Sequence, residues 1–225
     1  GRGLWQPSTP DFKNACHPYW NRVRTFVVQQ EDIRLISPAP YNEDPNSIFY
    51  QEANEVYDRV TNLTDEDRWI AEFWSDDCPI LTFSPSARMI SITNQVVEKE
   101  RLSLDYAVYT YAKVGFALCD AGIRCWSEKF KYNCERPIDY IRRNMDAPNW
   151  NTIKCPDGSG GYFTPPFPAF PSGHAAFAGA AAEVLTDLFG ANYRFIDRSH
   201  EGRTEFNGRP SPFEGFYNMA KENAY

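Results

Sequence analysis

The chain has 225 residues, 23 Lys+Arg against 30 Asp+Glu for a formal net charge of −7, and 42% apolar residues. An acidic balance repels a phosphate backbone, whose binders carry a basic footprint, so nucleic acid is excluded as a partner. The apolar content suffices for a real core and excludes global disorder. Mean hydropathy is −0.56, and the small-apolar run Ala175 to Ala182 stops at Glu183, far short of the roughly 20 residues that span a bilayer. No transmembrane segment is expected.

Gly1 stands where a leader would begin, and no basic-then-apolar stretch follows it, which reads as a signal peptide removed or never included. The six cysteines (Cys16, Cys78, Cys119, Cys125, Cys134, Cys155) leave the redox compartment open. Cys119 and Cys125 are separated by about 9 Å of helical rise, beyond the reach of a disulfide, so they are not expected to bridge each other. Asn62-Leu63-Thr64 fits a glycosylation acceptor pattern that arises often by chance.

Residues 1–46, rich in Pro, Trp, Tyr and Asn without a sustained period, read as a long irregular arm that wraps a body. From Ser47 onward Ile48, Phe49, Ala53, Val56, Tyr57 and Val60 recur at helical spacing, and Thr64 to Asp67 resembles a capping box that opens a second helix through Ile70, Phe73 and Trp74. A third helix is expected over about 86–99, and a long one from Ser103 to about Tyr132. Pro137 restarts the chain as the first residue of a helix to Met145. Residues 146–170 form a Gly/Pro loop containing Gly158, Gly160 and Gly161. Ser172 then caps a central helix from Gly173 to Phe189, stopped by Gly190, whose small face (Ala175, Ala178, Gly179, Ala182) admits close neighbours. Residues 191–211 read as polar connection. Phe213, Phe216, Tyr217, Ala220 and Ala224 return to helical spacing, with no stop signal by Tyr225. The fold class is all-α: a helical bundle over residues 47–225 behind an irregular arm, with no repeat, no strong strand alternation and no second domain.

Two segments can carry chemistry. Lys129 and Arg136 are seven apart, which on one helix returns nearly to the same side, so both cations are expected to face one anion-holding pocket about 10 Å apart along the axis. The run Pro165-Pro166-Phe167-Pro168-Ala169-Phe170-Pro171 delivers Ser172-Gly173-His174 to a helix start. There, free amides and the dipole favour an anion, Ser172 adds a hydroxyl and Gly173 lets an oxyanion approach its amide. His174 is placed to exchange a proton with whatever is bound. Taken alone, the first pair reads first as a solvated helix face, and the second as a capped helix with a core histidine. Together they make the donor set for a tetrahedral oxyanion.

Lys129 with six residues before Arg136-Pro137, followed by Pro171-Ser172-Gly173-His174, resembles the first two signature blocks of the superfamily joining vanadium-dependent haloperoxidases to phosphatidic acid phosphatase type 2 enzymes. The texture of roughly residues 60–225 is similar as well. The resemblance implies that Lys129, Arg136, Ser172 and the Gly173 amide bind vanadate or phosphate, that His174 is the acid-base residue, and that Trp126 lines the pocket. Trp126 reads equally well as a core aromatic. Phe167 stands where brominating and iodinating relatives often carry a histidine, which points to the chloroperoxidase branch. The third block, a Ser-Arg followed by a His and an Asp, is missing from this sequence. Arg198-Ser199-His200 lacks its order and spacing, so His200 reads as an exposed loop histidine. The expectation is a continuation beyond Tyr225, or another chain, that supplies a second arginine and the vanadium-bonding histidine.

The implied activity is oxidation of halide by hydrogen peroxide to hypohalous acid, with vanadate as cofactor and a small organic acceptor downstream. A soluble acid phosphatase using the same pocket is the alternative, and a non-catalytic helical module with a relict anion pocket is another. The resemblance implies a secreted or periplasmic protein; whether it forms a homo-oligomer stays open.

Overall fold

The computed structural model describes residues 1–29, 36–78, 83–153, 155 and 161–225; Gly158 and Gly160 of the Gly/Pro loop, and arm residues 30–35, lie outside them. Four of its helices begin where a short polar side chain receives an orphan amide. Ser47 caps α1 (Ile48–Thr61), and Thr64 and Asp67 exchange both capping-box bonds at the start of α2 (Asp65–Phe73). Ser84 caps α3 (Pro85–Lys99), with Pro85 at its first position. Helix α4 (Leu104–Tyr132) is 29 residues long and ends at Asn133 in the left-handed region, φ 50°. Then follow α5 (Pro137–Asn144), α6 (Gly173–Phe189) capped by Ser172, and α7 (Phe216–Ala224).

Helix α6 is the centre, packed against α3, α4 and α7. Ala178, Ala181, Ala182 and Leu185 are wholly buried, so the neighbouring helices approach its backbone closely. The expected small face is only partly used: a Cβ on Gly179 would meet nothing within 4 Å. A second apolar cluster joins Ala53 of α1 to Tyr140 and Ile141 of α5, with Tyr41 of the arm against it.

Two further expectations are corrected. Residues 191–211 are not all irregular, because β1 (Phe195–Asp197) pairs antiparallel with β2 (Ser211–Phe213), which takes Phe213 out of the last helix. Nor is His200 exposed. It is 0% exposed beside Arg88, Asp76 and Asp197, all equally buried, with Phe73, Phe83 and Phe206 rings around it. Arg88 Nε donates to Asp197 at 3.0 Å and Nη1 donates to His200 Nε2. Burial and the Arg88 charge hold His200 down at about 4, so its ring is neutral at ordinary pH. Satisfying a buried guanidinium, rather than loop solubility, explains this histidine.

The arm is laid on the body by named contacts. Leu4 bridges to Cys134, and Cys16 N–H donates to Pro166 O at 2.8 Å. The amides of Phe26, Val27 and Val28 converge on the Asp120 carboxylate of α4 at 2.7, 2.8 and 2.9 Å. Trp20, in the 3-10 turn Trp20–Arg22, lies where a Cβ on Gly122 would collide with it at 2.7 Å. Cys78 and Cys155 form a disulfide, while Cys119 and Cys125 are free thiols and, as expected from their spacing, do not bridge each other. Among the described residues no helix is long and apolar enough to cross a membrane.

Candidate oxyanion site

A cavity of about 660 Å³ opens at the N-terminal end of α6, and Trp126, Lys129, Arg136, Phe167, Ser172, Gly173 and His174 all line it. The two cations do not reach it as neighbours on one helix, as their spacing suggests. Asn133 ends α4 in the left-handed region, and Arg136 is the residue before the first turn of α5, with Pro137 enforcing the restart. A turn, not a helix face, brings them together. Both cations lie against Phe167: Lys129 Nζ is 4.9 Å and the Arg136 guanidinium 4.7 Å from its ring centroid. An aromatic face attracts both cations and lessens the cost of burying them side by side.

Lys129 is 1% exposed. It donates to the carbonyls of Pro168 at 2.9 Å, Ala169 at 3.1 Å and Pro171. Burial first, with Arg136 adding to it, lowers its ammonium to about 7. Arg136 Nε donates to Phe167 O at 2.7 Å, whereas its Nη2 is buried without a hydrogen-bond partner among the described residues. Burial lowers Arg136 to about 10, which leaves it charged at neutral pH. A buried guanidinium nitrogen with nothing to bond is costly unless a guest supplies the acceptor.

The α6 end supplies complementary donors. Ser172 Oγ accepts the Ala175 amide at 3.2 Å, which leaves its own hydrogen to give. Gly173 holds the first helical position, where an amide has no intrahelical partner. A Cβ there would meet the Trp126 ring at 3.3 Å, so glycine keeps the indole close to the helix mouth. Trp126 is held in turn by its Nε1 bond to Cys16 O at 3.2 Å and by Phe167, centroids 4.9 Å apart. These donors suit a tetrahedral oxyanion. No cluster of three His, Cys, Asp or Glu residues suited to a metal cation occurs among the described residues.

Sequence reasoning missed part of the wall. Cys16, His17 and Trp20 come from the arm, Ser75 and Asp77 from the segment after α2, and Asn223 from the end of α7. No local motif marks them, because each reaches the cavity through long-range packing.

The chain is similar to known proteins. The family model described as the VCPO second helical-bundle domain matches residues 109–215. Vanadium chloroperoxidase of Curvularia inaequalis is 27% identical over 210 residues, covering 80% of this chain and 33% of that protein. The crystal structure of the first bacterial vanadium-dependent iodoperoxidase superposes with TM-score 0.86 at 31% identity, over 98% of this chain and 53% of that one. An apo-type bacterial vanadium-dependent chloroperoxidase, 15% identical with TM-score 0.68 over 99% of this chain and 53% of its own, shares the fold. The chain thus spans 33% of the curated relative and 53% of the iodoperoxidase chain.

Proposed function

Since this chain belongs to the vanadium haloperoxidase superfamily, we propose that its α6-end cavity holds vanadate in an enzyme that oxidises halide with hydrogen peroxide to hypohalous acid. The observation that carries the reading is the buried, partnerless Arg136 Nη2 in the same cavity as the Ser172 hydroxyl and the Gly173 amide. Lys129, Arg136, Ser172 and Gly173 are the residues that would hold the oxyanion. Oxidising a halide by peroxide consumes a proton, and His174, beside the Ser172-Gly173 donors in the cavity lining, is the carrier assigned to deliver it. Bound vanadate supplies Lewis-acid activation of peroxide, which requires no redox-active side chain. A second arginine and the vanadium-bonding histidine are not among these residues in the third-block pattern, so the activity is proposed for the protein with that block present.

Phe167 supports chloride as the halide, whereas likeness to the iodoperoxidase supports iodide. The Cys78–Cys155 disulfide suits a secreted or periplasmic protein. The test is halogenation of a phenol-type indicator by the protein carrying the third block, with peroxide, vanadate and each halide in turn, against phosphate release from a simple monoester. Halogenation that depends on vanadate supports the reading. Phosphate release without halogenation at any vanadate level replaces it with the acid phosphatase, because phosphate and vanadate use the same donors. Neither activity, with no vanadate bound, leaves the non-catalytic module.

A further inference from the structure

The cavity at the α6 mouth is far roomier than an oxyanion needs: its volume of about 660 Å³ is that of a pocket for a small organic molecule. Residues that line it also carry buried polar groups with no hydrogen-bond partner among the described residues: Trp150 Nε1, Thr152 Oγ1, Thr164 Oγ1 and both amide atoms of Asn223. Buried polar groups are normally paired, so several left unmet around one cavity point to a guest. Arg142 gathers three of these residues. Its Nε donates to Trp150 O at 2.7 Å and its Nη2 to the Tyr162 hydroxyl at 3.1 Å, so one guanidinium ties the segments that hold Thr152 and Thr164. Asn223 comes from the end of α7, which meets α1 where the Tyr225 hydroxyl donates to Glu55 at 3.3 Å; Trp150 packs against the cluster that holds Ala53 of the same helix.

All of these unmet groups are uncharged, so they offer an ion no counter-charge in return for its lost hydration, whereas a neutral polar molecule needs none. The Trp150 N–H only donates, while the threonine hydroxyls and Asn223 donate or accept, a set that matches a hydroxyl. Trp74, Phe163, Val56 and Val60 line the same cavity and suit a flat apolar ring. We propose that Trp150, Thr152, Thr164 and Asn223 form a second subsite in this cavity, for a neutral hydroxylated aromatic of the phenol class. The subsite stands on the unmet groups and the cavity; its use rests on the proposed function, under which the bound ring accepts the oxidised halogen. A ring carbon attacks the halogen of hypohalous acid, the carbon–halogen bond forms as the oxygen–halogen bond breaks, and the ring proton leaves with the hydroxide as water. The acceptor is held while it reacts, so the halogenation rate saturates with its concentration.

Phenol itself is the probe, added to the protein carrying the third block without vanadate, peroxide or halide. In ¹⁵N spectra the Trp150 indole N–H signal is expected to shift and saturate, and phenol is expected to bind more tightly than toluene. Apolar burial alone would favour toluene. Trp150→Phe, which keeps an aromatic wall, and Thr164→Val, which keeps the shape, are each expected to weaken phenol binding by about threefold to tenfold, the worth of one neutral hydrogen bond. Thr164→Val leaves toluene binding at the parental level. Because the deleted groups are unmet in the free protein, neither variant is expected to lower the urea midpoint. A midpoint lowered in both shows that the groups are already bonded within the protein and overturns the proposal. So does a parent whose Trp150 signal ignores phenol, or one that prefers toluene. If Trp150→Phe does not fold, the parent signal and Thr164→Val decide. Saturable phenol binding in a protein that forms no hypohalous acid from peroxide and halide with vanadate leaves the subsite standing and defeats the proposed function alone. Halogenation that rises linearly with phenol, with no shift at Trp150, defeats the subsite alone.

Discussion

Lys129 and Arg136 face the two costs of buried cations, lost hydration and mutual repulsion, and each meets them with different partners. Three carbonyls surround the lysine, one carbonyl holds the arginine, and both sit against Phe167. A bound anion relieves the remaining repulsion and restores the Lys129 ammonium toward its ordinary range, because an opposite charge favours the protonated form. In the free protein the proton is lost above about 7. The complex therefore holds a proton that the free protein has released, and affinity is full below about 7 and falls as pH rises through it, by up to about tenfold per pH unit. Sulfate, whose own charge is constant here, is the suitable probe in calorimetric titration. Affinity independent of pH across this range contradicts the coupling. Arg136→Ala is expected to weaken sulfate binding by about 1.5–3 kcal/mol, the scale of one charged hydrogen bond, and an unchanged affinity removes Arg136 from the donor set.

At the scale of elements, the arm is part of the site. Asp120, 2% exposed on α4, holds residues 26–28 and thereby seats Trp20 against Trp126, ring centroids 5.1 Å apart. Burial alone would raise the Asp120 carboxyl, but the Val28, Phe26 and Val27 amides outweigh it and hold its value below the ordinary range. The tether is thus fully present above the usual aspartate range and is lost as pH falls through the lowered folded value. Asp120→Ala is expected to cost about 2–3 kcal/mol and to speed amide exchange at Phe26 to Val28 first. Unchanged exchange there would show that other contacts hold the arm. Helix starts were legible because their cause is local: Ser47, Thr64, Ser84 and Ser172 cap within a turn of themselves. The break between α4 and α5 was legible too, because Pro137 marks the restart; the turn that joins them was not. Asn133 enters the left-handed region where the arm pairs across Cys134, and nothing within a helical turn announces that partner.

Across the whole molecule, the cavity is assembled from the arm, the α2 end, α4, the α5 start, the α6 mouth and the α7 end. That Lys129, Arg136 and Ser172-Gly173-His174 share one cavity was legible because they form compact blocks, each next to its own helix end. The remaining walls were not, since they depend on the internal supports that hold distant segments. One support is the Arg88 cluster, where Arg88, Asp76, Asp197 and His200 are each 0% exposed. Arg88→Met leaves two carboxylates buried without their cation, and is expected to cost about 3–5 kcal/mol in urea denaturation; a loss under about 1 kcal/mol would show that the cluster relaxes or hydrates. The other is the Cys78–Cys155 disulfide, which joins the segment after α2 to the loop before α6 across 77 residues of sequence. Its reduction is expected to remove about 2–4 kcal/mol in the same assay, and an identical midpoint in reductant would remove it from the account.

The most direct measurement is a diffraction experiment on crystals of the protein equilibrated with vanadate, read by the anomalous signal of vanadium. The expected result is one ordered vanadate at the α6 mouth, with oxygens within hydrogen-bonding distance, about 3 Å, of Arg136 Nη2, the Gly173 amide and Ser172 Oγ. Vanadium bound elsewhere, with Arg136 Nη2 turned to a protein carbonyl and no anion between it and Gly173, would contradict the account.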